Sequence, residues 1–297
     1  MVTISNFIGA AALTPPAPSA IAIDESVASE KQSRLLESLR GLRSLLVAFS
    51  GGADSAYLAW AAHAALGQRA LAVTALSASY SQHDREQADA FVCVAGVRHE
   101  FIETREFENP LYLANNVDRC YHCKNELFSR LSPLAARRGF SAIAYGINAD
   151  DIHDFRPGHR AAHEHRVLAP LLDARLTKAE IRALSRRAAL STWDRPASAC
   201  LSSRVPYGTQ VTPEILARIE RAESALRAME FRQVRVRAHA SVASVEIALN
   251  ELARALEPAI ARQIADRVKD AGFAAAEIDP AGYRQGSLNS LLKKKNE

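Results

Sequence analysis

Through its first two-thirds the chain alternates short runs that suit β-strands with longer segments in which apolar residues recur at helical spacing. The strand-like runs are 44–49, 70–76, 99–103 and 142–145, and the helical segments are 56–66, 84–95 and 123–137. A helix between two strands returns the chain to the edge of the sheet where the first strand began, so that the next strand runs parallel to it. This order therefore predicts an α/β fold with a doubly wound parallel sheet. Ligands of such sheets bind at the carboxyl edge.

The pattern changes after the fourth predicted strand. Residues 155–169 are polar and irregular and are predicted to form an active-site loop, whereas Thr177 is a good cap for a helix over 177–188. Beyond about residue 205 the predicted order is helix 212–229, strand 233–237, strand 244–248, a long helix ending at 271, and strand 274–278. This order predicts a smaller α+β domain, with a hinge at Tyr207 and Gly208.

These patterns divide the chain into three parts. Residues 1–33 are predicted to be a mobile Ala/Pro-rich leader, 34–205 the sheet domain, and 206–297 a C-terminal domain that binds substrate or makes oligomer contacts. The leader lacks a basic n-region, and no apolar run reaches the roughly 18 residues that a membrane span needs. We therefore expect a cytoplasmic enzyme with no membrane partner.

Composition limits the partners. The chain has 297 residues, a formal net charge of +4 and four cysteines. This modest charge suits small anionic substrates and does not by itself require nucleic acid. Four unevenly spaced cysteines are too few for a disulfide scaffold.

A glycine-paired turn follows the first predicted strand, with the sequence Ser50-Gly51-Gly52-Ala53-Asp54-Ser55. Glycines let the backbone approach a ligand, and N–H groups at the start of the next helix favour phosphate oxygens. The hydroxyl groups add donors, and Asp54 is a candidate ligand for magnesium. The turn lacks the Gly-Lys-Ser/Thr ending of a Walker loop, so a kinase or GTPase is disfavoured; a plain glycine turn with a serine cap is the alternative.

Two cysteine segments are candidates for chemistry. Cys120 and Cys123 form a C-x-x-C pair at a predicted helix start, where the dipole, Arg119 and Lys124 favour thiolate; a structural pair or zinc knuckle is the alternative. Cys200 lies in a loop of small residues, four residues before an arginine that would lower its pKa or hold an anion. By contrast, apolar neighbours predict that the fourth cysteine, Cys93, is buried.

Charged residues mark two further regions. Segment 146–151 follows a predicted strand and offers Asp150 to a metal or a ribose, although a capping turn explains it equally well. Glu220 and Glu223 share one helix face, and Arg235 and Arg237 alternate on one strand face with His239. An anion-binding surface is one explanation, and a solvated charged face is the commoner one.

Taken together, these motifs resemble the LarE-type sulfur transferases, which belong to the PP-loop ATP pyrophosphatases. The resemblance runs from about Glu37 to about Asn289. It rests on segments 50–55, 77–80, 118–124, 146–151, 154–158, 200–208 and 282–287. The first segment is shared by all PP-loop enzymes, whereas the two cysteine segments are more specific.

The resemblance implies adenylation of a carboxylate of pyridinium-3,5-biscarboxylic acid mononucleotide, followed by replacement of the activated oxygen with sulfur during synthesis of the nickel-pincer nucleotide. It implies that segment 50–55, Ser77 and Asp150 bind ATP and Mg²⁺, and that Cys200 carries sulfur beside a catalytic Arg204. The residues implied to lie near the substrate phosphate or pyrophosphate are Arg119, Arg204, Glu220, Glu223, Arg235 and Arg237.

One branch of the family has three cysteines that match Cys120, Cys123 and Cys200. In that branch the thiolates hold a 4Fe–4S cluster whose open iron carries exchangeable sulfide, so the resemblance implies multiple turnovers and a sulfide or sulfur donor as partner. The other branch gives up its single cysteine sulfur and acts once. The family also implies a homo-oligomer.

Three other functions compete with this interpretation. Enzymes of tRNA thiolation share the PP-loop and can use three cysteines, but should show a stronger basic surface or an added RNA-binding module. An ammonia-using amide ligase of the NAD synthetase type would not need the thiols. A nucleotide-sensing regulator would bind ATP without turnover.

Overall fold

The computed structural model describes residues 23–153, 157–196 and 198–284. The first part of the predicted leader, residues 154–156 of one motif and residues 285–287 of the last motif lie outside the described residues. Within the described ranges, none of the helices combines the length and the apolar character needed to cross a bilayer.

The larger unit contains four strands and eight helices of the described chain. They follow the order α1 (Glu25–Arg40), β1 (Leu45–Ala48), α2 (Ala53–Leu66), β2 (Ala70–Leu76), α3 (Gln82–Ala95), β3 (His99–Glu103), α4 (Pro110–Leu113), α5 (Arg119–Arg138), β4 (Ala142–Tyr145), α6 (Gly158–Glu164), α7 (Pro170–Asp173) and α8 (Lys178–Arg187). The predicted bounds of these four strands lie within two residues of the observed ones. Helix α8 follows the predicted cap Thr177, which forms a capping box with Glu180.

The four strands form one parallel sheet in the order β3-β2-β1-β4. Every residue of the central strand β1 is buried, as expected for a parallel strand covered on both faces. The chain winds from β1 toward β3 and then crosses back to place β4 on the other side of β1. The strand order thus reverses between β1 and β4, which places a ligand crevice at their carboxyl ends. The predicted α/β fold is confirmed.

The smaller unit is an α+β module, as predicted. Its elements are α9 (Pro213–Ala228), β5 (Val234–His239), β6 (Val242–Ile247), α10 (Leu249–Ala255), α11 (Pro258–Asp270) and β7 (Ala275–Ile278). Strand β6 pairs antiparallel with β5 and parallel with β7. The single long helix predicted to end at 271 is wrong, because Pro258 starts a second helix at a position where its missing N–H costs nothing.

Two other boundary predictions are corrected. Residues 25–33 belong to α1, not to a leader, because the Asp24 carboxylate accepts the N–H groups of Ser26 and Val27 and Ala28 is buried. The loop predicted over 155–169 contains α6. Gly158 starts this helix against α5, where an added Cβ would lie 2.9 Å from the Cγ of Lys124.

Candidate active site

The glycine-paired turn lies at the reversal of strand order, between β1 and α2. Gly51 has a φ of +77°, which favours glycine, and Gly52 is the N-cap of α2. The Ser55 hydroxyl donates to the carbonyl of Gly52 at 3.0 Å and accepts the N–H of Ser50 at 3.2 Å. The turn therefore surrounds the N-terminus of a helix, where its N–H groups and dipole suit the phosphates of a nucleotide.

Strand β4 brings a second loop against this turn. Gly146 makes the approach possible, since an added Cβ would lie 2.8 Å from the backbone N and Cα of Ser55. Beyond it, the Asn148 amide donates to the Asp54 carboxylate at 3.0 Å. Asp150 accepts the backbone N–H of Lys178 at 2.7 Å, so its carboxylate caps helix α8.

Two carboxylates face each other in this crevice. Burial raises the pKa of Asp54, and the nearby charge of Asp151 raises it further. Asp151 is buried and pairs with the ammonium group of Lys178 at 2.9 Å. A divalent cation would stabilise both carboxylates, so Asp54 and Asp151 are the candidate magnesium ligands.

Replacing Asp54 with asparagine should stabilise the metal-free protein while removing magnesium-dependent turnover. Since the pKa of Asp54 is raised in the folded state, its ionised form opposes folding at neutral pH, and the amide removes that penalty. Differential scanning fluorimetry with EDTA at neutral pH should show a higher Tm for the variant than for the parent, and added Mg²⁺ should raise the Tm of the parent more than that of the variant. A lower Tm in EDTA would contradict this account.

Ser77 lies at the carboxyl end of β2 beside an open cavity of about 390 Å³. The cavity is lined by Leu76, Ser77, Tyr80, Ser81, Gln82, Arg85, Glu103 and Thr104. The Ser77 hydroxyl donates to the buried Glu106 carboxylate at 2.5 Å and lies 2.9 Å from the Ser79 hydroxyl. Ser77 therefore holds the turn that follows β2.

The segment that carries Cys200 packs against this same turn. The N–H of Leu201 donates to the carbonyl of Ser79 at 2.9 Å. The buried Arg119 guanidinium donates to the carbonyl of Ser202 at 2.8 Å, and the Tyr112 and Ser202 hydroxyls are 2.7 Å apart. The residues that follow Cys200 are thus fixed against the turn after β2 and against Arg119 and Tyr112.

The Cys120, Cys123 and Cys200 thiols interact electrostatically, and two of them, Cys120 and Cys200, act on the buried Arg119. Burial alone would lower the pKa of this arginine, but Cys200 and Cys120 together raise it above its usual range. Burial raises the pKa of Cys123, as do Glu106 and Cys200, so the predicted preference for thiolate is wrong at this position. Within the described residues, no three His, Cys, Asp or Glu side chains are already arranged to bind a metal ion.

The fourth cysteine, Cys93, is exposed on α3, so the prediction that it is buried is wrong. In a helix, residues two apart do not share a face, and Phe91 is the residue that packs into the core.

Arg204 holds the backbone of the Cys200 segment. Its guanidinium, on a side chain that is 2% exposed, donates to both carboxylate oxygens of Glu223 at 2.8 and 3.0 Å. It also donates to the carbonyls of Ala199 and Cys200. This bidentate pair joins the cysteine segment to helix α9.

The two arginines of the charged face predicted on β5, Arg235 and Arg237, are also buried, whereas His239 at the end of that strand is exposed. Arg237 forms a bidentate pair with Glu246 and donates to the carbonyl of Ser203 at 2.6 Å. Burial and the charge of Arg204 lower the pKa of Arg235 to about 10. A solvated face is therefore excluded for Arg235 and Arg237. Of these two, Arg237 contacts the cysteine segment at Ser203. Glu220, at the edge of this group, accepts the N–H of Gln82 at the start of α3.

Comparison with known proteins decides the family. No family model matches the chain. However, the chain is 31% identical over 266 residues to the pyridinium-3,5-bisthiocarboxylic acid mononucleotide synthase of Lactiplantibacillus plantarum, covering 89% of this chain and 95% of that protein. The chain belongs to the LarE family. An uncharacterised protein of Synechocystis is 40% identical over 249 residues, which cover 84% of this chain and 93% of that relative.

Several site residues of this LarE family member were not predicted from the sequence. They are Glu106 and Lys178, described above, and three residues that connect the 50–55 turn with the cysteine segment, Asp84, Arg195 and Ser198. Only Asp84 carried a local signal, because it lies three residues after the N-cap Ser81 and completes a cap at the start of α3. The others contact residues far away in sequence, which a local pattern does not reveal.

Proposed function

We propose that this LarE family member is an ATP-dependent sulfur transferase that converts a carboxylate of pyridinium-3,5-biscarboxylic acid mononucleotide to a thiocarboxylate. The main support is the match to the Lactiplantibacillus plantarum synthase, which extends over 95% of that protein. The name of that relative gives the bisthiocarboxylic product, which differs from the proposed substrate by sulfur in place of carboxylate oxygen. The same conclusion is supported by Arg195, five residues before Cys200, which donates to the carbonyl of Gly51 in the glycine-paired turn.

In the first step a substrate carboxylate attacks the α-phosphorus of ATP, and pyrophosphate leaves. The N–H groups at the start of α2 would bind the phosphates, and Asp54 with Asp151 would hold magnesium on the departing pyrophosphate. The product is an acyl adenylate, in which AMP is a far better leaving group than oxide.

In the second step a sulfur nucleophile attacks the activated carbonyl, and AMP leaves with the electron pair of the broken C–O bond. The structure holds Cys200 through its neighbours, so the nucleophile would be presented from a fixed segment. If the cysteine itself gives up sulfur, a base removes its Cα proton, the thiocarboxylate leaves with the electron pair of the Cβ–S bond, and dehydroalanine remains.

The thiols of Cys120, Cys123 and Cys200 suit a 4Fe–4S cluster in donor type, and they are close enough for Cys120 and Cys200 to act electrostatically on Cys123. Such a cluster would supply an exchangeable sulfide at its open iron, and the enzyme would then turn over repeatedly. Arg119 would balance the negative charge of the thiolates from its buried position.

Replacing Cys120 or Cys123 with serine should abolish the visible absorption of anaerobically reconstituted protein and its iron and acid-labile sulfide, because a serine hydroxyl is a poor ligand for this cluster. Cys93→Ser is the matched control, since this thiol is exposed on α3. It should retain the parent spectrum. A full cluster spectrum in both C-x-x-C variants would exclude this assignment and favour the single-use route through Cys200.

Pyrophosphate release tests the function and its rivals. The parent should release pyrophosphate from ATP and Mg²⁺ only when the biscarboxylic mononucleotide is present. Stimulation by tRNA instead would favour tRNA thiolation, and an amide product with ammonia would favour a ligase. ATP binding without any release under these conditions would favour a nucleotide-sensing regulator.

A further inference from the structure

A buried ion pair joins the nucleotide turn to the segment that carries Cys200. One Arg195 nitrogen, Nη1, donates to the carbonyl of Gly51 at 2.6 Å, and the other, Nη2, donates to Asp84 Oδ1 at 2.7 Å. The two side chains are only 11% and 12% exposed. Arg195 therefore holds the glycine turn through the carbonyl of Gly51.

Asp84 extends this connection toward the cysteine. The Ser198 hydroxyl contacts both Asp84 carboxylate oxygens, at 3.0 and 3.2 Å, and the Ser81 hydroxyl donates to Oδ2 at 2.7 Å. Ser198 lies two residues before Cys200. A continuous set of hydrogen bonds thus runs from the carbonyl of Gly51 through Arg195 and Asp84 to the residues that precede the sulfur.

The other side of the cysteine segment is held independently of the nucleotide turn. Arg204 holds the carbonyls of residues 199 and 200 and is fixed by Glu223 of α9, while Leu201 donates to Ser79. Loss of the Asp84 contacts would therefore leave Cys200 tethered to the C-terminal module. Its hydrogen-bonded connection to the 50–55 turn would be lost.

We propose that Asp84, Arg195 and Ser198 are positioning residues that couple nucleotide occupancy of the 50–55 turn to the placement of Cys200. This inference rests on the proposed function, because the coupling matters only if an activated substrate formed at the turn must meet sulfur from Cys200. A nucleotide bound at the turn would fix the carbonyl of Gly51. The Arg195–Asp84 ion pair, which contacts both this carbonyl and Ser198, would then fix Ser198 as well. Sulfur is then aligned when the acyl adenylate is present, which limits loss of the adenylate to water.

The first test compares Ser198→Ala and Asp84→Asn with the parent by the ratio of thiocarboxylate formed to pyrophosphate released. The ratio should fall about 10-fold or more in both variants, since a misplacement of about 1 Å can reduce a reaction rate by 10². Pyrophosphate release should stay within about threefold in Ser198→Ala, because Ser198 contacts Asp84 and Arg195 keeps its own contacts with Asp84 and Gly51. Lys31→Met is the matched control, because it removes an equally buried ion pair, with Glu180 at 2.6 Å, on the α1 side of the protein. It should leave the ratio unchanged.

The second test measures amide hydrogen exchange with and without ATP and Mg²⁺, using the full chain and no second substrate. In the parent, nucleotide should slow exchange in both 50–55 and 195–205; in both variants it should slow exchange only in 50–55. General destabilisation would instead speed exchange equally with and without ATP.

These outcomes separate the two proposals. If nucleotide protects 50–55 but not 195–205 in the parent, or protects both segments in the variants, the coupling is excluded. If nucleotide protects neither segment of the parent, the coupling is excluded together with the proposed ATP site. If the coupling is present but the biscarboxylic mononucleotide elicits no pyrophosphate release, the proposed function fails while the positioning role stands.

Discussion

Replacing Cys200 with serine is expected to reduce thiocarboxylate formation by about 10³-fold or more, because loss of a nucleophile removes the reaction path that depends on it. Pyrophosphate release should remain within about threefold of the parent, since the residues around the nucleotide turn are unchanged. The half-buried thiol is held by backbone contacts of its neighbours, so serine should fit without moving the segment. Paired assays of pyrophosphate and of sulfur product would measure the separation.

Cys93→Ser is again the matched control and should retain both activities. Parent-like sulfur transfer by the Cys200 variant would contradict the role given to Cys200. Equal loss of both activities, with a lower Tm, would show instead that the substitution disrupts the nucleotide turn.

The largest effect on stability is expected from Glu223→Ala, which should lower the free energy of unfolding by about 3–5 kcal/mol, because it leaves buried charges without their partner. Glu223 is fully buried and accepts hydrogen bonds from Arg204, from Arg227 at 2.8 Å and from the N–H of Val236 at 3.1 Å. The variant leaves all three of these donors without their acceptor. Urea unfolding of the parent and the variant would give the difference.

The same carboxylate predicts a pH dependence. Arg204 and its other partners overcome the effect of burial and lower the pKa of Glu223 to about 2. A depressed pKa contributes stability above the unfolded value of 4.5, and that contribution is lost as pH falls from 4.5 toward 2. The parent should therefore lose stability in this window more steeply than Glu223→Gln. Two results would contradict a structural role for the Arg204–Glu223 pair. One is a parallel dependence of stability on pH in the parent and in Glu223→Gln, and the other is a loss of less than about 1 kcal/mol in the free energy of unfolding of Glu223→Ala.

The sheet domain could be predicted from sequence because its strands are short apolar runs separated by well-capped helices. Strand β2 is observed at its predicted bounds, and the Thr177 cap starts α8 as expected. The predicted start of α1 and the predicted single long C-terminal helix were wrong because a helix cap and a proline determine these boundaries, not the hydrophobic pattern. Asp24 extends α1 into an Ala-rich segment, and Pro258 divides a segment whose apolar spacing predicts one helix.

The candidate site was only partly predictable. The glycine turn and the C-x-x-C pair are local motifs, and their residue types by themselves indicate phosphate binding and thiol chemistry. The contact between Arg195 and Gly51 joins residues 144 positions apart, and no local pattern encodes it. Arg237 of β5 was ambiguous because it pairs with Glu246 on the neighbouring strand and donates to the carbonyl of Ser203, 34 positions earlier.

ATP-dependent sulfur transfer to the mononucleotide is tested most directly by mass spectrometry of the small-molecule product. Anaerobically purified full-length protein would be incubated with ATP, Mg²⁺, pyridinium-3,5-biscarboxylic acid mononucleotide and sulfide, with ATP omitted in a parallel sample. We expect a product with one carboxylate oxygen replaced by sulfur. It should form only with ATP and be accompanied by AMP and pyrophosphate. Release of AMP and pyrophosphate with the substrate recovered unchanged, or with nitrogen in place of oxygen, would contradict this expectation.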